Sequence, residues 1–221
     1  MSQTILEPDE KTSMEVDETP SMQPKKIMVP VTFPLDNHNY QLIETARKIK
    51  IDNMLDCVIS NLEILGIIDS YLADAFRITI KSGMPICDTE ELINYIEKHR
   101  GGNKLYKIVI MPAIIGLQFL PIYCNVYMPL NSSIFTGIQY KNNEQQYGHV
   151  FLIVKNGSGE IYNIDLQRPE RFCNLNTLDC YQKVYGSNLT NILLLTANFY
   201  GSLDPKLDQL LKSTNGSFTE C

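Results

Sequence analysis

The stretch QQYGHVFLIVKNGSGEIYNIDLQRPE, Gln145 to Glu170, decides how the chain folds. Two apolar segments, HVFLIVK and EIYNIDL, flank Asn156-Gly157-Ser158-Gly159, residues that accept positive φ, so a tight hairpin is predicted. His149 opens the first strand and Asp165 closes the second. A turn centred near Gly157 sets the two opposite each other, where ladder neighbours stand roughly 4.5 to 5.5 Å apart. An imidazole oriented by a carboxylate is the basic half of a Cys-His-Asp catalytic set. The same pair at a hairpin rim also occurs as a partly exposed ion pair of little weight.

Before the hairpin the apolar spacing is helical. Leu42, Ile43, Ala46, Ile49, then Met54, Leu55, Val58, Ile59, Leu62 and Leu65 recur every three or four residues, with a break at Gly66 and Asp69 and a further helix over Tyr71 to Ile80. In SGMPICDTEELINYIEKHRGG, Asp88 or Thr89 caps a helix, Glu90 and Glu91 suit its first turn, and Gly101 ends it. Lys104 to Gly116 reads as a buried helix kinked by Pro112, and PIYCNVYM as a strand. The last part, LTNILLLTANFYGSLDPKLDQLLKS, reads as two helices, one closed by Gly201 and one opened by Asp204-Pro205. The expectation is an α+β fold: a helical N-terminal half, a small antiparallel sheet and C-terminal helices.

The chain has 221 residues, 44% of them hydrophobic, enough for one compact core. Residues 1–30 combine Glu, Asp, Ser, Pro and Lys with few large apolar side chains and are expected to be a disordered acidic tail. Residues 31–212 are expected to form one domain and 213–221 a flexible end. The net charge of −6, without clustered Lys and Arg, argues against a nucleic-acid surface. No apolar run reaches the roughly 18 to 20 residues of a membrane helix. The opening residues lack the apolar core of a signal peptide, so a cytoplasmic or nuclear home and free thiols are expected. The six cysteines form no C-x-x-C pair and the three histidines no zinc spacing, so neither a metal nor another cofactor is expected.

From residue 88 to 212 the chain resembles the transglutaminase-like core of bacterial SirB-like proteins, found also in a eukaryotic F-box protein that serves as a ubiquitin-ligase adaptor. The resemblance is carried by ELINYIEKHRGGNKLYKIVIMPAIIGLQFLPIYCNVYMP, by GHVFLIV and EIYNIDL, and by the later segments RFCNLNTLDCYQKVYG and LTANFYGSL. It implies a papain-like or transglutaminase-like core. Enzymes of that kind place a nucleophilic cysteine at the start of a buried helix, where the helix dipole favours the thiolate. This chain has Gly101, Gly102, Asn103 and Lys104 at the matching place, and LNSSIFTGIQYKNNEQQY separates the proline of the preceding segment from His149.

Two functions follow as expectations. In the first, the chain is a non-catalytic protein-interaction module, an adaptor in ubiquitin ligation, that binds a protein or peptide segment through Tyr147, His149, Asp165 and Asn103. In the second it is a cysteine hydrolase or transferase acting on peptide or isopeptide bonds, with His149 as base, Asp165 orienting it, and Cys87, near a helix start, as nucleophile. Cys57 falls in the helical apolar stripe and reads as core, as does Cys124 in its apolar segment.

Overall fold

A computed structural model of the protein describes residues 27–48, 56–79, 84, 86–166, 188–215 and 217–221. The elements run β1 (Ile27–Pro30), β2 (Thr32–Pro34), α1 (Asn37–Lys48), α2 (Cys57–Ile64), α3 (Ser70–Thr79), α4 (Ile86–His99), β3 (Tyr106–Pro112) and α5 (Ala113–Val126). They continue as β4 (Ser132–Asn142), β5 (Gln145–Lys155), β6 (Ile161–Ile164), β7 (Leu189–Phe199), α6 (Pro205–Asn215) and β8 (Thr219–Glu220). One antiparallel sheet of eight strands has the order β6-β5-β4-β7-β3-β8. Where β4 and β7 diverge, β1 pairs with β7 and β2 with β4.

The sheet is the middle of three layers because its strands are apolar on both faces. Alternation sends Val150, Leu152, Val154, Leu193 and Leu195 into one core with the helices α1 to α4. Phe151, Ile153, Ile192 and Leu194 enter a second core under α5 and α6. Gly116 lets α5 lie against β7: a Cβ there would stand 2.5 Å from Cγ1 of Ile192. Lys155, on β5, is buried and donates from Nζ to the carbonyls of Cys124, Asn125 and Met128, at 3.0, 2.9 and 3.0 Å. It thereby satisfies acceptors that the end of α5 leaves without helical partners.

The mixed α+β class and the β5–β6 hairpin agree with expectation, but several elements are corrected. The N-terminal half is not simply helical: it opens on β1 and β2 and closes on β3. Lys104 to Gly116 is mostly strand β3, PIYCNVYM ends α5, and LTNILLLTANF is the central strand β7. A strand covered on both faces is a continuous apolar run, which periodicity cannot separate from a buried helix. The sheet is larger than expected because the 130–147 stretch supplies β4 and the start of β5. Residues 27–30 of the supposed tail form β1, and residues 1–26 lie outside the described residues. The C-terminal end is likewise docked, since β8 pairs with Val109 and Ile110 of β3.

Candidate active site

β5 and β6 pair Leu152 with Ile164 and Lys155 with Ile161. Continued by one step, this register sets Asp165 opposite Phe151, so His149 meets the carboxylate on the diagonal rather than directly across as the turn position predicts. His149 Nε2 donates to Asp165 Oδ2 at 2.7 Å, with the two side chains 10% and 1% exposed. That burial separates the pair from an exposed rim ion pair, which water would screen.

β6 pairs only with Leu152 to Lys155, so among the described residues no strand flanks the outer edge of β5 around His149. Helix α2 packs there instead. Its first residue is Cys57, whose half-buried thiol hydrogen-bonds with His149. With Nε2 engaged by Asp165, Nδ1 is the ring nitrogen left for the thiol. Burial works against a charged imidazole. The hydrogen bonds with Asp165 and then Cys57, together with the charges of both partners, outweigh it and push His149 up to about 9. At neutral pH this side chain is therefore an imidazolium, held between the Asp165 carboxylate and the Cys57 side chain at the start of α2.

Two devices hold the start of α2. Asn61, 1% exposed and one turn beyond Cys57, donates from Nδ2 to the carbonyl of Cys57 at 2.6 Å and to that of Val150 at 3.2 Å. One amide thus ties the backbone of Cys57 to that of Val150, the neighbour of His149. Asp56, buried just before Cys57, accepts from Ser60 Oγ at 2.7 Å and from Arg77 Nε at 3.1 Å. Arg77 also reaches Glu63 at 2.7 Å and Asp74 at 3.0 Å, joining α3 to α2. These partners raise its pKa against the opposing effect of its partial burial. The Asp56 side chain makes no capping hydrogen bond to the first turn of α2.

Cys57 packs against the α1–α4 core as expected, but half-buried and beside His149, at a helix start that lies upstream of residues 101–104. Gly101 to Lys104 lead from α4 into β3, and exposed Asn103 lies beside Asn94, Tyr95 and Lys98. Cys87 is in the first turn of α4, and its side chain lies outside what is described. α4 packs on β3, and β7 and β4 intervene between that strand and β5, which carries His149. The structure therefore brings together His149 and Asp165 with Cys57, and leaves Asn103 apart. Tyr147 lies two residues before His149 on β5.

Cys124 is buried as expected, and burial pushes its thiol up to about 12 against the pull of Lys155. Cys221 is disulfide-bonded, which departs from the expectation of free thiols, while Cys173 and Cys180 lie outside the described residues. Among the described residues no three His, Cys, Asp or Glu side chains are grouped to hold a metal ion, and no helix is long and apolar enough to cross a membrane. Compared with known proteins, the chain matches no family model and no curated sequence.

One signal for Cys57 was present in the sequence. Asp56 is a residue type that often precedes a helix, so Asp56-Cys57 could have been read as a helix start rather than as the middle of a longer stripe. Asn61 and Arg77 carried no such signal.

Proposed function

We propose that the chain is a cysteine-dependent acyl-transfer enzyme, a hydrolase or transferase acting on peptide or isopeptide bonds. The observation that carries the reading is His149 placed between the Cys57 thiol and the Asp165 carboxylate. A thiol at a helix start, followed along the chain by a histidine on one strand and an aspartate after the next, also supports a transglutaminase-like or papain-like core. The non-catalytic module rested on an empty nucleophile position, and Cys57 is the reason the reaction is preferred. A protein or peptide segment is then the substrate.

The chemistry balances with these three groups. The Cys57 thiolate attacks the substrate carbonyl carbon, forming a C–S bond and moving an electron pair onto oxygen. The N–H groups of the first turn of α2 have no intrahelical acceptor, so they are donors suited to that oxyanion. Collapse breaks the C–N bond as the imidazolium of His149 gives its proton to the departing amine. Neutral His149 then takes a proton from water, or from an acceptor amine, as that nucleophile attacks the thioester. The thiolate leaves and the ion pair is restored. Asp165 keeps the imidazole oriented and stabilises its cation without itself taking the proton.

Trapping of the acyl-enzyme tests the proposal. Brief exposure to p-nitrophenyl acetate, followed by peptide mass mapping, is expected to place one hydroxylamine-labile acetyl group on Cys57, absent in Cys57→Ala. Acetylation spread over lysines, equal in wild type and Cys57→Ala, would remove the proposal.

A further inference from the structure

Beside the reacting group lies a feature that the reaction itself does not use. β4 and β5 form a hairpin in which Ile138 pairs with His149, Tyr140 with Tyr147, and Asn142 with Gln145. The two-residue turn Asn143-Glu144 has φ of 49° and 68° at its two positions, the left-handed geometry of the tightest hairpins. The rings of Tyr140 and Tyr147 are stacked, 5.6 Å between centroids with 19° between planes. Tyr147 Oη donates to Gln145 Oε1 at 3.0 Å, and the side chain remains 39% exposed.

The period of a strand puts Tyr147 on the same face as His149, about 7 Å from it along β5. We infer that the Tyr140–Tyr147 platform is a substrate subsite of the proposed enzyme and takes an aromatic side chain carried by the acyl donor next to its scissile carbonyl. The inference rests on the acyl-transfer reading and adds the class of substrate. The separation is about the reach of an aromatic side chain from its own carbonyl, so the residue that carries the scissile carbonyl reaches the ring while that carbonyl meets Cys57. On this face the paired positions are Ile138, Tyr140 and Asn142 on β4 and Gln145, Tyr147 and His149 on β5. Lys141 falls on the opposite face by alternation. Apart from the imidazole these six positions carry no charge, which favours a neutral aromatic group over a guanidinium or a carboxylate. Stacking already holds the platform in shape, so little ordering is needed on binding.

The test compares inactivation of the full chain by two blocked peptidyl chloromethyl ketones, one with phenylalanine and one with alanine next to the reactive carbon. Iodoacetamide serves as a small reference electrophile on every variant. Wild type is expected to react with the phenylalanyl probe about tenfold faster than with the alanyl probe, the size of one good aromatic contact. After normalisation to iodoacetamide, that ratio is expected to fall to about one in Tyr147→Ala and to persist in Tyr147→Phe. A ratio near one in wild type, with iodoacetamide labelling of Cys57 still dependent on His149, would overturn the subsite and leave the reaction standing. A preference that survives in Tyr147→Ala would also overturn it. Labelling of Cys57 no faster than that of an ordinary thiol would take away both the subsite and the reaction beneath it.

Discussion

Replacing His149 with Gln should remove a specific part of the protein's dependence on pH. A free histidine titrates near roughly 6.5, and His149 is pushed up to about 9 by Asp165 and Cys57 in spite of its burial. The folded state therefore binds the proton more tightly than the unfolded state. The resulting stability is complete below about pH 6.5 and is lost as pH rises through about 9. At about 1.4 kcal/mol per pKa unit the difference amounts to at most about 3.5 kcal/mol. Urea unfolding of wild type and His149→Gln at pH 6 and pH 9.5 isolates it, because the other titrating groups are common to both proteins. The stability gap between the two proteins should be larger at pH 6 than at pH 9.5 by about 2 to 3 kcal/mol. An equal gap at both values, or one that widens at pH 9.5, would refute the reasoning about the site's charges.

Three further substitutions test what positions the site. Arg77→Met leaves buried Asp56, among the described residues, with Ser60 as its side-chain partner and should cost about 2 kcal/mol, discounted from the usual cost of breaking a buried pair because Arg77 is partly exposed. Adding Asp56→Asn should restore part of that loss in urea unfolding, and a double variant no better than the single one would count against a buried-charge penalty. Asn61→Leu removes the donor to both Cys57 and Val150 and should cost roughly 1 to 3 kcal/mol. It should also slow alkylation of Cys57 at pH 5.5 towards that of an ordinary thiol, an effect that loss of stability alone would not produce in the folded protein. Lys155→Met deprives three carbonyls at the end of α5 of their donor and should lower stability by about 3 kcal/mol in thermal or urea unfolding, without a His149-dependent change in thiol reactivity.

The parts of the fold legible in the sequence were those with one clear period and a strong local signal. Asn156-Gly157-Ser158-Gly159 between two apolar segments marked the β5–β6 hairpin, and with it came His149 and Asp165. Strands β3 and β7 escaped because both of their faces are buried. Their apolar runs, Tyr106–Pro112 and Leu189–Phe199, have neither the alternation of a half-exposed strand nor the stripe of a surface helix. PIYCNVYM reads as a strand, yet α5 continues through Pro121 to Val126, since a missing N–H weakens a helix that packing against β7 still holds.

The proposed nucleophile was hidden for a different reason. Cysteine packs like a small apolar residue, so Cys57 merged into the stripe that starts near Gln41. The helix that matters begins only at Cys57, and the resemblance over residues 88 to 212 directed attention to Gly101–Lys104, downstream of it. The diagonal contact of His149 with Asp165 and the edge position of α2 depend on register and tertiary packing. Neither leaves a spacing in the sequence.

The central claim is that Cys57 reacts through His149, and mapped alkylation with dilute iodoacetamide at pH 5.5 addresses it most directly. Ordinary thiols, with pKa near roughly 8.5, are almost wholly protonated there and react slowly. Cys57 is expected to label far ahead of the other free thiols in wild type and to fall back among them in His149→Ala. Labelling of Cys57 at the same rate in both proteins, or no faster than an ordinary exposed thiol, would contradict the claim.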